Sequence, residues 1–173
     1  MDAPRIVTHW QRIVLNVVIF QLGWGVCILG GNTLAAIYTF FAVILHAAIF
    51  LKNSREALVI VVFTIVGSCW DTLLMHVGVI SFSTNSLFIP PWLVCLWLLF
   101  ACTLNHSLAW LKNKLVVSAL LGSVMAPLSY LAGIKLGVAI FIMPTLISLG
   151  FIAIAWAFFI PLGLYAARRC CDD

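Results

Sequence analysis

Asp71 is the residue whose type and position most demand an explanation. It lies inside the apolar run 57–79, and no other long apolar run contains a carboxylate. A charge in the middle of a membrane helix costs about 2.5–3.5 kcal/mol on insertion scales, so such a residue is by default a functional candidate. It stands fourteen residues past Ala57. At 1.5 Å per residue this is about 21 Å up the helix, in the outer third of a bilayer. A carboxylate there can handle a proton or orient a polar head group. The plain alternative is an aspartate hydrogen-bonded to a neighbouring helix. Lys135, on the outer side, is the one candidate cation partner for it.

A second candidate is the pair His46 and His106, on separate segments at similar depth in the inner third. Asn105 adjoins His106, and Asn16 enters at the same level. These residues can form a polar pocket open to the cytoplasm, or simply hydrogen-bond helices together. Imidazole also suits haem iron and transition metals, and the pair is held in reserve for either. No bound cofactor is expected. Gln21, near mid-membrane in the first segment, is expected to hydrogen-bond across the bundle. His76 is about 140° round the helix from Asp71 and should not meet it. Trp70 and Trp97 lie deep, whereas Trp10, Trp24, Trp92, Trp110 and Trp156 fall near the interfaces, as in an aromatic belt.

The elements that must position these residues are membrane helices. Only 8% of the 173 residues are charged, against about 25% in a soluble domain. Lipid must therefore be part of the solvent. A crossing takes about 20 helical residues. Six apolar segments of that order are present, roughly 13–31, 33–51, 57–79, 91–110, 115–133 and 141–164. The expected fold is all-α, a six-transmembrane-helix bundle forming a single domain over 1–173. Pro144 could divide the last segment and leave 137–143 as interfacial chain. The first apolar stretch is longer than a signal-peptide core and is expected to be a retained helix.

Basic residues give this topology a direction. Arg5, Arg12, Lys52, Arg55, Lys112, Lys114, Arg168 and Arg169 all fall on one side of a six-pass chain, and only Lys135 on the other. The positive-inside rule then predicts both termini in the cytoplasm. The same scatter at helix ends argues against nucleic acid as a partner, leaving the bilayer and a hydrophobic small molecule.

Stripes of small and polar residues mark the expected packing faces. They run through Asn32, Ala35, Ala36, Thr39, Ala42 and His46, through Thr64, Gly67, Ser68, Asp71, Met75 and Gly78, through Cys95, Cys102, Thr103, His106 and Trp110, and through Ser118, Gly122 and Ala126. The four histidines, the absence of paired intramembrane acids and the absence of HExxH, GxSxG and P-loop motifs exclude several enzyme classes. Among these are di-metal desaturases and metal-dependent phosphotransferases. The six cysteines include no CxxC pair, and comparison of residues 10–80 with 90–165 shows no inverted repeat.

Segment four carries a resemblance. Pro91-Trp92-Leu93, Leu96-Trp97, Phe100-Ala101, Thr103-Leu104 and His106-Ser107-Leu108-Ala109-Trp110-Leu111 resemble an uncharacterised bacterial inner-membrane family, domain of unknown function 2878. Trp70-Asp71 and the Gly- and Pro-bearing stretch Gly122–Tyr130 are similar to it too, and the likeness covers nearly the whole chain. It implies a bacterial inner-membrane setting and a lipid-related role. It marks Trp70, Asp71, Trp97, His106 and Ser107 for testing.

The expectation is thus a protein that binds or acts on a membrane lipid or other hydrophobic molecule at a buried polar site. Asp71 and His106 are the candidate reactive groups. Trp70, Trp97, Asn105, Ser107, His46 and Gln21 are the candidate binding residues. Two alternatives stand beside this reading: a small proton-coupled transporter using Asp71, and a scaffold or assembly factor of a membrane complex.

Overall fold

The computed structural model describes residues 8–82 and 86–171. Arg5, one of the basic residues counted above, lies outside them. The described chain forms five helices: α1 (His9–Ile49), α2 (Ser54–His76), α3 (Pro91–Ala101), α4 (Leu115–Lys135) and α5 (Thr145–Cys171). Strands β1 (Ile80–Phe82) and β2 (Ala139–Phe141) pair antiparallel. In hydrocarbon a backbone must satisfy its own hydrogen bonds, which the helix does within one segment. Helices α1, α2, α4 and α5 are long and apolar enough to cross a membrane. Their outward faces expose Val, Leu, Ile and Phe, for example Leu29, Phe40, Leu58 and Phe158.

α1 joins the first two apolar segments and is broken at Gly31, with φ 64° and ψ −169°. Glycine enters that region without steric cost, and here it lets the chain double back. Tyr38 Oη donates to the Ile19 carbonyl at 2.7 Å, and the Arg12 guanidinium donates to the Ile49 carbonyl. The two limbs are therefore antiparallel.

The expectation of six membrane helices is corrected at segment four. Only Pro91–Ala101 is α-helical, about 16 Å of rise and too short to cross alone. Residues beyond it continue as turns and a short 3₁₀ stretch, Ala109–Leu111. The cause is a run of polar residues that offer the backbone other partners. Thr103 Oγ1 donates to the Phe100 carbonyl at 2.6 Å. The Asn16 side chain donates to the Cys102 carbonyl and accepts from Ser107 N, both at 3.2 Å. The segment nevertheless runs the length of the bundle. Trp92 N donates to Asn32 Oδ1 beside the Gly31 reversal, while Ser107 reaches Asn16 near the other end. Segment six also shifts: the helix starts after Pro144, and 139–141 form a strand.

The structure contains an internal repeat. α2 and α4 end in the same way, at Gly78 (φ 74°) and Gly137 (φ 79°). At each, the two N–H groups that follow the helix bond back to carbonyls of its last turn: Gly78 N to Met75 O with Val79 N to Leu74 O, and Gly137 N to Ile134 O with Val138 N to Gly133 O. These are Schellman caps. Each cap feeds one strand, through Gly78-Val79 and Gly137-Val138, and the strands end at Phe82 and Phe141. All these pairs are 59 residues apart, the separation of Asp71 and Tyr130. At the same offset, Trp97 and Phe100 of α3 answer to Trp156 and Phe159 of α5. Buried positions correspond as well: Gly67 with Ala126, Leu74 with Gly133, Leu93 with Ile152. In the strand pair the central partners are Ser81 and Ile140, equivalent residues, so a pseudo-two-fold axis passes through that pair. The unit α2–β1–α3 is thus repeated as α4–β2–α5, with the limbs of α1 packed on α3.

Candidate functional site

Asp71 is wholly buried, where the two repeats meet. Trp97 Nε1 donates to Oδ2 at 2.7 Å, and Tyr130 Oη donates to Oδ1 at 2.5 Å. Charge-assisted bonds of this kind offset the cost of burying a carboxylate. The expected cation is not what holds it: Lys135 is exposed in the last turn of α4, and two neutral donors serve instead. Gly67, one turn before Asp71, makes room for this. A Cβ there would lie 2.2 Å from Trp97 Cε3, so only glycine lets the indole lie against α2.

Trp97 stacks on Trp156, with ring centroids 5.0 Å apart and planes at 16°. Around this pair Phe100 meets Trp156 edge-on at 5.2 Å, and Phe159 meets Trp97 at 6.0 Å, each the image of the other in the repeat. The symmetry fails at the polar atoms. Trp156 Nε1 is buried beside Tyr130, the counterpart of Asp71, without a hydrogen bond of good geometry. One half thus has a carboxylate under its indole N–H, and the other has a phenol.

A cavity of about 550 Å³ opens in front of these groups. Phe20, Trp92, Leu96, Phe100 and Ile160 line it, with Asp71, Tyr130 and both stacked indoles among its walls. It lies where α1 and α4 face each other, since α1 packs on α3 and α4 on α5. Trp24 Nε1 donates to Ser129 Oγ across the gap at 3.0 Å. Gln21, Met125 and Leu128 on the lining are exposed, so the cavity opens on the flank of the bundle. Gln21 is therefore a rim residue.

The second constellation lies about 22 Å away, fifteen residues earlier along α2. Glu56, 1% exposed, places Oε1 2.6 Å from His106 Nε2 and 3.9 Å from His46 Nε2. The two imidazole centroids are 5.1 Å apart, so His46 and His106 do meet. The other carboxylate oxygen of Glu56 accepts from Lys52 N at 2.8 Å. His46 Nε2 is buried and has no hydrogen-bond partner. Asn105 Nδ2 donates to Cys171 Sγ at 3.3 Å. Ser107 joins neither site through its hydroxyl; its backbone N–H anchors Asn16. Trp70 does not line the cavity and packs edge-on against Phe159 at 5.6 Å. His76 Nε2 meets the Leu87 carbonyl at 2.9 Å, away from Asp71.

Three residues of these sites escape a reading of the sequence. Glu56 reads as part of a polar link, yet Asn53 caps α2 through its bond from Glu56 N, and the acid is already helical. Tyr130 continues the Ser118, Gly122, Ala126 stripe at the same four-residue step, and that step was the available signal. Trp156, expected at an interface, is 9% exposed in the centre of the bundle, and its 59-residue relation to Trp97 would have revealed it.

Long apolar helices around a buried carboxylate and an apolar cavity define a polytopic helical membrane protein. The chain belongs to the family described as protein of unknown function DUF2878, whose model matches residues 13–162. No curated protein and no solved structure matches it.

Proposed function

We propose that the chain binds, or acts on, a membrane lipid or similar hydrophobic molecule in the cavity before Asp71. The observation that carries this reading is an apolar cavity of about 550 Å³, opening on the flank of the bundle, with one carboxylate in its wall. Ligand sites are commonly about 300–1,000 Å³, mostly apolar, with a few placed polar groups. An acyl chain would enter between α1 and α4. Its polar end would approach Asp71 through Tyr130, whose phenol bonds the carboxylate, and through the Trp156 N–H, a buried donor without a well-formed hydrogen bond. The setting we propose is a bacterial cytoplasmic membrane. There the two limbs of α1, then α2, the 91–111 segment, α4 and α5 make six crossings, with both termini cytoplasmic. The one-sided basic residues support that orientation.

The test is the lipidome of a deletion strain against its parent and against a strain carrying Asp71→Asn. Altered lipids in both strains are expected; an unchanged lipidome in the deletion strain overturns the reading. A second reading, a proton-coupled carrier, is favoured by the repeat, because carriers commonly place their site between repeated halves. It predicts ligand movement across vesicles driven by a pH gradient and lost in Asp71→Asn. The scaffold alternative has no structural feature of its own in its favour.

A further inference from the structure

The geometry points to a binding site for a divalent first-row transition metal ion at His46, Glu56 and His106, at the end of the bundle that carries the basic residues. Three features carry it. The first is the donor set. Two imidazole nitrogens and a carboxylate oxygen are the ligands that zinc and non-haem iron sites use. The second is convergence. Both histidines direct Nε2 at Glu56 Oε1, and the three ligand atoms all lie within 4.8 Å of one another. Ligand bonds of about 2.0–2.2 Å in tetrahedral array put donor atoms roughly 3.3–3.5 Å apart. The contacts of 2.6 and 3.9 Å bracket that value. A slight opening of Glu56 from His106 and closure of His46 would seat an ion.

The third feature points to a ligand independently. His46 Nε2 is buried, its side chain 7% exposed, and it aims at the carboxylate from beyond hydrogen-bond range with nothing else to bond. Buried polar atoms are paired in nearly all native structures, and an orphan of this kind asks for the atom that pairs it. A metal ion supplies one partner to all three residues at once. The arrangement also favours a bare ion over haem iron. The Glu56 carboxylate lies against both Nε2 atoms, where a porphyrin plane between the imidazoles would have to pass.

Neighbouring groups hold all three residues in place. Phe50 stacks on His46 at 5.5 Å and meets His106 at 5.2 Å. Glu56 sits in the first turn of α2, and Lys52 N fixes its second oxygen. His106 is held in the turn region that Asn16 ties to α1. Three protein ligands leave at least one position for water or another ligand, as in sites that bind exchangeable molecules. This inference is independent of the cavity reading, which concerns groups about 22 Å away along α2.

The experiment uses the full chain purified in detergent with an affinity tag free of histidine, stripped with chelator and titrated with Co²⁺ as optical probe and Zn²⁺ as competitor. One equivalent of Co²⁺ with visible d–d bands, displaced by Zn²⁺, is expected. Glu56→Gln and His46→Gln should each weaken binding about tenfold or more, whereas His9→Gln and His76→Gln should not change it. If a variant does not purify as a monodisperse species, the wild-type titration decides. A wild-type protein that shows no bands and no bound equivalent overturns the proposal, as does wild-type affinity in His46→Gln. A lipid phenotype that survives such a failure would leave the cavity reading standing.

Discussion

Trp97 and Trp156 stack 5.0 Å apart at 16°, and they are the same position of two repeated units. Equivalent residues touch one another only near a symmetry axis, so the indole pair, the Asp71–Tyr130 bond and the Ser81–Ile140 strand pair all mark one axis. The candidate site sits on it. Its asymmetry is chemical: Trp97 donates to a carboxylate, and Trp156 faces a phenol.

That asymmetry makes the two indoles unequal. Trp97→Phe keeps a ring in the stack but removes a buried donor from a carboxylate, which costs about 1–3 kcal/mol. Trp156→Phe removes an N–H that lacks a well-formed bond, so it should cost much less. Thermal unfolding in detergent should show a clearly larger drop for Trp97→Phe. Equal drops would mean that the bond to Asp71 does not matter to stability.

Asp71 meets two donors, so its replacements differ in kind. Asp71→Asn can still accept from Trp97 and can donate to Tyr130 Oη, but it leaves the buried phenol proton without the carboxylate that accepts it. Tyr130→Phe leaves the carboxylate with one partner and should destabilise by about 1–3 kcal/mol. On the proposed reading, both should reduce any hydrophobic molecule recovered with purified protein, measured by mass spectrometry of extracts. Wild-type recovery in Asp71→Asn would detach the carboxylate from binding.

Gly67 tests the close approach. A Cβ there would lie 2.2 Å from the Trp97 ring, so Gly67→Ala should push the indole off α2 and stretch its bond to Asp71. Overpacking of this sort costs about 1–3 kcal/mol or more. Near-UV circular dichroism should lose indole signal as the melting temperature falls. Gly25, with open space around it, is the control, and Gly25→Ala should be neutral or slightly stabilising.

Much of this arrangement is legible in the sequence. Ala35, Thr39, Ala42 and His46 are buried, as are Gly67 and Asp71 and the stripe Ser118, Gly122, Ala126, because small-residue spacing in a lipid-soluble helix reports its packing face, whereas Asn32, Ala36 and Trp110 of the same stripes are exposed. Depth arithmetic also separates the Asp71 level from that of His46 and His106. Glu56 was hidden because an acid beside Lys52 and Arg55 looks solvated, and only the cap at Asn53 turns it inward. The repeat was hidden for another reason. Comparing three segments with three presumes an inverted architecture, whereas here two segments repeat in parallel. In apolar runs Leu, Ile and Val coincide by chance, so only rare markers such as Trp97, Phe100, Gly78 and their partners carry the signal.

The parallel repeat also constrains topology. α2 and α4 both run toward the paired strands, so their starting links, 52–54 and 112–114, must lie on one side and the strand ends on the other. On the proposed six-crossing arrangement, the 91–111 segment crosses despite its short helix. With the orientation proposed above, reporter fusions that fluoresce only in the cytoplasm should light up after residue 53 and after residue 113, and stay dark after residue 137. Fusions that are active only outside should give the complementary pattern. Opposite signals at 53 and 113 would mean that the segment between α2 and α4 turns back within the membrane. In that case the six-crossing arrangement fails, and α2 and α4 could not run in parallel.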